Sequence, residues 1–221
     1  MELLLDTANI QEIKELYDCL VIDGVTTNPT ILAKDNIKLE NKVKEITAIT
    51  TEHTPLHVQI ISQDFQEIIK EALYIHSLRN NIYVKIPVTK DGLKAIKELK
   101  KLGVKVTATA IFTATQGFLA AKAGADYVAP YVNRIDNISG DGVAVVTQLT
   151  QILNQYHLPT KVLAASFKNV QQIYDIMKIG VHSITISSDM CKAMYQHPST
   201  DVSILQFYRD WEEAFGITSL K

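Results

Sequence analysis

"IYVKIPVTKDGLKAIKELKKLG", residues 82–103, holds one complete strand-to-helix unit. Residues 82–88 are mostly apolar, aromatic and β-branched, and the run has strand length. A short polar connection follows. Leu93, Ile96 and Leu99 then share one face of a helix that stops at Gly103, a C-terminal cap signal. The unit recurs. Strands are predicted over 3–7, 24–28, 56–61, 82–88, 105–112, 126–132, 161–167 and 183–187. Between them, "NIQEIKELYDCL" (9–20) sets Ile10, Ile13, Leu16, Tyr17 and Leu20 on one helical face. "ATQGFLAAKAGAD" (114–126) and "NVQQIYDIMKIG" (169–180) close on glycine as the first helix does.

Strict β–α alternation predicts a parallel sheet covered by helices. Eight such units in about 200 residues fit a closed (β/α)8 TIM barrel of α/β class. An open doubly wound sheet is the competing architecture, but no glycine-rich dinucleotide fingerprint follows the first strand. Residues 1–221 are read as one barrel domain, with 198–221 as a C-terminal helical extension. That extension, "HPSTDVSILQFYRDWEEAFG" (197–216), offers Ser199 or Thr200 as its cap, and Phe207, Trp211 and Phe215 recur at a spacing of four. The aromatic stripe packs either on the chain's own barrel or on another subunit, since eight helices already complete the outer layer.

Composition narrows the partners. Apolar residues make up 47% of the chain, enough for a large core, and charged residues 21%. The net charge is −2 and no basic block stands out, so nucleic acid is not expected. Cys19 and Cys191 lie far apart and form no disulfide framework, which points to a reducing compartment. "MELLLDTANI" is acidic early with a four-residue apolar core, unlike a signal peptide, and no apolar run approaches the ~18 residues of a membrane span. The expectation is a soluble, cytoplasmic protein with no membrane partner.

In a barrel the reactive face lies at the C-terminal ends of the strands. There the chain offers Asp6, Thr26, Asn28, Gln59, Lys85, Thr109, Tyr131, Arg134, Ser166 and Lys168. Most have a plain structural reading. Asp6 reads equally as a helix cap, Asn28-Pro29 as a turn, Gln59 as a satisfied core amide, Thr109 as a strand filler, Tyr131 as a barrel aromatic, and Arg134 and Lys168 as exposed charges. Lys85 is the hardest to dismiss. Alternation places Val84 and Ile86 toward the helices and Lys85 into the barrel, where an ammonium is costly unless a carboxylate such as Asp6 pairs with it. Burial would instead favour a neutral amine, which forms a Schiff base with a ketone or aldehyde. Gln59, Thr109 and Tyr131 could hold a water beside it. Asp6 and Asn28 suit sugar hydroxyls, and Arg134, Ser166 and Lys168 suit a phosphate.

"GVTTNPTIL" (24–32) and "IYVKIPVTKDG" (82–92) resemble the two signatures of the transaldolase family, the second carrying the imine-forming lysine, and "VAPYVNRID" (128–136) and "KVLAASFKN" (161–169) also match. The resemblance spans essentially the whole chain and is nearest the small branch that includes the fructose-6-phosphate aldolases. It implies the (β/α)8 barrel, no metal and no organic cofactor. It makes Lys85 the imine-forming residue and gives Asp6, with Asn28, sugar hydroxyls and proton handling; Thr26 lines the same site. It assigns Gln59, Thr109 and Tyr131 to the catalytic water, and Arg134 and Ser166, with Lys168 beside them, to the phosphate. Thr107 and Ala129 are taken to line the pocket. Gln59 and Tyr131 are the aldolase pair, where transaldolases typically carry glutamate and phenylalanine. The implied reaction is cleavage of fructose 6-phosphate to dihydroxyacetone and glyceraldehyde 3-phosphate, with transfer of the dihydroxyacetone unit as the alternative. The implied assembly is a homo-oligomer, pentamer rings stacked as a decamer. A metal aldolase would need clustered ligands, a pyridoxal-phosphate barrel would be yellow, and a non-catalytic sugar-phosphate binder would tolerate loss of Lys85.

Overall fold

A computed structural model describes residues 1–34 and 37–220. Strands β1 (Glu2–Asp6), β2 (Gly24–Thr26), β3 (Leu56–Gln59), β4 (Ile82–Pro87), β5 (Val106–Ile111), β6 (Tyr127–Pro130), β7 (Lys161–Ala164) and β8 (Ser183–Ile186) form one closed parallel barrel in sequence order. The closing pair sets Leu4 of β1 against Thr185 of β8. This is the predicted (β/α)8 architecture, with every predicted strand present, β1 starting one residue earlier and the others one to three residues shorter. Helices α1 (Ile10–Cys19), α2 (Pro29–Leu32), α3 (Leu39–Ile49), α4 (Phe65–Ser77), α5 (Lys90–Lys101), α6 (Ala114–Lys122), α7 (Val132–Asp136), α8 (Gly142–Gln155), α9 (Val170–Ile179), α10 (Ser188–Tyr195) and α11 (Pro198–Phe215) complete the described elements.

Local chemistry starts most helices immediately after a strand. Asn9, Asp64, Thr89, Asn169 and Ser187 accept hydrogen bonds from the exposed amides of α1, α4, α5, α9 and α10. Thr113 and Gln116 cap α6 reciprocally. Each cap holds a connection short and rigid, and these connections carry the polar face of the barrel.

Alternation divides the interior in two. Outward residues such as Leu5, Val25, Val58, Val84, Ile86, Val106, Val128, Val162 and Ile184 pack on the helices in one large core. Burying each such side chain stabilises by about 1.5–3 kcal/mol. Inside the barrel a small second cluster joins Leu4, Tyr127 and Leu163, with Tyr83 against it. Below it the Tyr127 hydroxyl donates to Glu2 at 2.8 Å, and Lys161 pairs with the same carboxylate at 2.5 Å.

β5 departs from simple alternation. Its register against β6 shifts between Ala108 and Ile111, and Ala110 takes a left-handed φ of 57°. Thr109 faces inward in step with Thr107, and the bulge after it turns Ile111, two residues on, into the outer core.

Helix α11 is capped by His197, with Pro198 in its first turn, rather than by Ser199 or Thr200. Proline has no amide to satisfy there and its φ suits a helix start. The helix buries none of its residues, so its aromatic stripe does not pack on the chain's own barrel. Phe207 is 69% and Phe215 61% exposed. Lys221, the end of the predicted extension, lies outside the described residues. Among the described residues no helix is long and apolar enough to cross a membrane.

Candidate functional site

Asp6, Asn28, Lys85, Thr109, Ala129, Tyr131, Arg134 and Ser166 converge on one cavity of about 170 Å³ at the C-terminal ends of the strands. Leu163, Ala165 and Thr185 complete its walls. Seven strands or their following turns contribute to it, all but β3.

Lys85 is 6% exposed. Its Nζ donates to the Thr27 carbonyl at 2.7 Å, and among the described residues it pairs with no carboxylate. Burial pulls its pKa below the ordinary lysine range; Asp6 opposes this shift and Arg134 adds to it. The site thus makes the ammonium easier to deprotonate than an exposed lysine.

Asp6 is no helix cap, because Asn9 does that work for α1. Thr26 Oγ1 donates to Asp6 at 2.7 Å and lies 2.7 Å from Thr185 Oγ1, so a Thr185–Thr26–Asp6 chain orients the carboxylate. Thr109 Oγ1 and the Tyr131 hydroxyl are 2.9 Å apart, and the Arg134 guanidinium stacks 4.6 Å from the Tyr131 ring centre. Asn28 does cap α2 through the Ile31 amide at 3.0 Å, which commits its oxygen and leaves its amide nitrogen as the donor. Ser166 holds a left-handed φ of 65°, uncommon for a residue with a β-carbon and found where a site over-determines the backbone.

Four predicted residues stand off the cavity wall. Thr26 is fully buried behind Asp6. Thr107 does not line the pocket; it is fully buried and bonded to His57 Nδ1 at 2.8 Å. Lys168 is exposed, since the chain has already turned outward after Ser166. Gln59 pairs in register with Lys85 but lines neighbouring cavities on the Pro29 side, of about 770 and 440 Å³. Its Oε1 is buried without a protein partner.

Sequence reasoning missed three participants. Thr185 extends the chain to Asp6, and the Thr27 carbonyl receives the lysine. His57 lies completely buried in the barrel, stacked on Tyr83 at 4.8 Å and edge-on to Tyr127 at 5.2 Å. Strand parity carried a signal for His57, two residues before Gln59 on the same inward face. Among the described residues no group of three or more His, Cys, Asp or Glu side chains is placed to hold a metal ion.

The family model for transaldolase/fructose-6-phosphate aldolase matches residues 3–218. The chain belongs to this family. A probable fructose-6-phosphate aldolase of Streptococcus pneumoniae is 42% identical over 216 residues, 96% of each chain. A probable transaldolase of Kosmotoga olearia is 40% identical, over 96% of this chain and 97% of its own. Another, of Clostridium acetobutylicum, is 39% identical over 98% and 100%. The chain is therefore an enzyme of the transaldolase/fructose-6-phosphate aldolase family, and its relatives carry both names. A flavocytochrome b2 variant with sulfite bound superposes at a TM-score of 0.61, covering 85% of this chain and 56% of its own at 10% identity, a likeness of fold alone.

Proposed function

We propose that this enzyme is a Schiff-base aldolase that cleaves fructose 6-phosphate to dihydroxyacetone and glyceraldehyde 3-phosphate. The observation that carries the reading is the Lys85 amine, buried at the cavity with a carbonyl rather than a carboxylate as partner. In the neutral form Lys85 attacks C2 of the ketose, and loss of water gives the imine. A base takes the C4 hydroxyl proton, the C3–C4 bond breaks, and its electron pair enters the imine to give an enamine. Glyceraldehyde 3-phosphate leaves. Protonation at C3 and hydrolysis then free dihydroxyacetone and restore the amine.

The Tyr131 phenol, bonded to Thr109, supplies the proton relay through a water. The unpartnered Gln59 Oε1, one strand from Lys85, supports a water on that side. Asp6 and Asn28 hold sugar hydroxyls, while Arg134 and Ser166 hold the phosphate. Lys168 attracts the phosphate from the rim. Ala129 shapes the donor pocket, and Thr107 shapes it from beneath.

Transfer to an aldose instead of hydrolysis is the second reading, favoured by the relatives named transaldolase. The enamine's fate decides between them. Release of many equivalents of glyceraldehyde 3-phosphate from fructose 6-phosphate with no acceptor present establishes the aldolase. One equivalent at most, with turnover restored by erythrose 4-phosphate, establishes the transferase. Gln59→Glu with Tyr131→Phe replaces the phenol relay by a titratable carboxylate. The expected result is a rise in the transfer-to-hydrolysis product ratio of about tenfold, and an unchanged ratio would sink the assignment of Tyr131.

Asp6→Asn provides a pH test. The carboxylate stabilises the Lys85 ammonium, so its removal lowers the lysine pKa further. The acid limb of the kcat/KM profile should move to lower pH, and a shift to higher pH would contradict the electrostatic assignment.

The exposed stripe of α11 belongs against a second copy of the chain, in keeping with a ring-forming homo-oligomer. Light scattering that reports a monomer would remove this part of the reading.

A further inference from the structure

We propose that Gln172 is a positioning residue that clamps together the two turns presenting Arg134 and Ser166. This rests on reading that pair as the phosphate anchor. Arg134 sits on α7, and Ser166 lies in the turn between β7 and α9. The turns already share backbone bonds: the Val132 amide donates to Ala165 at 2.9 Å and the Asn133 amide to Ser166 at 2.7 Å. Gln172, in the first turn of α9, closes the arrangement. Its Oε1 accepts from the Lys168 amide at 2.8 Å. Its Nε2 donates to Asp136 Oδ2 at 2.6 Å and reaches Asn133 Oδ1 at 3.3 Å. The other Asp136 oxygen accepts from the Gly142 amide at 2.8 Å, where α8 starts so close to α7 that a β-carbon on Gly142 would stand 2.4 Å from the Val132 carbonyl oxygen. One side-chain amide therefore ties the Ser166 turn to α7 and, through Asp136, to α8. Among the described residues the side-chain hydrogen bonds of Gln172 go to Lys168, Asn133 and Asp136 and not to Lys85, Thr109 or Tyr131, so its influence falls on the phosphate end of the substrate.

A plain capping role explains only the bond to Lys168. Gln172→Glu separates the two roles. The carboxylate keeps the acceptor for the Lys168 amide and suits the positive end of α9, but it faces the Asp136 carboxylate where an amide donated. The expected result, measured in the synthesis direction with dihydroxyacetone, is a KM for glyceraldehyde 3-phosphate raised about tenfold. The KM and kcat with unphosphorylated glyceraldehyde should change less than about twofold. Adding Asp136→Asn restores a donor–acceptor pair with reversed polarity, and the KM for the phosphorylated aldehyde should return to near the parent value. A rise of equal size with both aldehydes, no rise at all, or no recovery in the double variant would each overturn the clamp. Arg134→Ala is the control for the underlying reading. If it leaves the KM for glyceraldehyde 3-phosphate unmoved, the phosphate assignment falls and the clamp falls with it. If it raises that KM while Gln172→Glu does not, only the clamp is wrong. Should Gln172→Glu fail to fold, Asp136→Ala removes the acceptor for the Gln172 amide from α7 and is read the same way.

Discussion

Lys85→Met is expected to reduce turnover of fructose 6-phosphate by more than about 10⁴-fold while leaving the fold intact. Methionine fills the lysine stem with an unbranched apolar chain and removes the only group proposed to bond covalently to substrate. Stability should change little. The variant strands the Thr27 carbonyl, a cost of about 1–3 kcal/mol, but it also relieves the desolvation of the buried amine. Borohydride reduction in the presence of dihydroxyacetone is the direct check. The parent should acquire a covalent adduct that peptide mass spectrometry places on Lys85, and the variant none. An adduct elsewhere, or residual turnover above the stated limit, would remove the imine from this residue. The adduct should also form more readily as pH rises through the depressed lysine pKa, because only the neutral amine attacks.

The second large effect concerns acid stability. Burial, reinforced by the charge of Lys85, pushes the His57 pKa down to about 3. The ring is walled by Tyr83 and Tyr127, and Thr107 bonds its Nδ1. An unfolded chain protonates this histidine near pH 6.5, whereas the folded chain does not until about pH 3. Its cost to the fold is therefore absent above pH 6.5 and grows by about 1.4 kcal/mol per unit as pH falls. By pH 3 it reaches on the order of 5 kcal/mol. His57→Phe keeps an aromatic ring on Tyr83 and removes the titration. At neutral pH the variant should be weaker by about 1–2 kcal/mol, because the Thr107 hydroxyl loses its partner. Near pH 4 it should be the more stable of the two. Urea melts at pH 7 and pH 4 check this, and stability curves that run parallel rather than cross would clear His57 of the acid sensitivity.

The barrel was readable because its signals are local. Strand runs such as 82–88, helix faces such as Leu93, Ile96 and Leu99, and terminal glycines at 103, 124 and 180 depend on near neighbours alone, and those three glycines do adopt positive φ. Parity likewise placed Lys85 inside. What escaped depends on partners distant in sequence. No local pattern announces the β5 bulge, which turns Ile111 outward, or the left-handed Ser166. The inward turn of Thr107 toward His57 joins residues fifty positions apart. Lys168 looked suitable by charge, but exposure is decided by how sharply the chain leaves β7. The four-residue α2 and five-residue α7 are too short to show a helical period, so Asn28 read as a turn and not as the cap it is.

The separation of the two cores has a consequence for how such a protein diversifies. The outer core runs continuously around the barrel, while the inner cluster of Leu4, Tyr127 and Leu163 occupies only a middle layer. The positions above that layer, Asp6, Lys85, Thr109 and Ala129 among them, contribute little apolar burial. With Lys85 kept, substitutions at its neighbours there should alter which substrate is accepted while the annular shell continues to set the melting temperature. Selectivity and robustness should then be nearly independent traits in this chain, and a library confined to the upper inward positions other than Lys85 should yield new substrate ranges with few unfolded members.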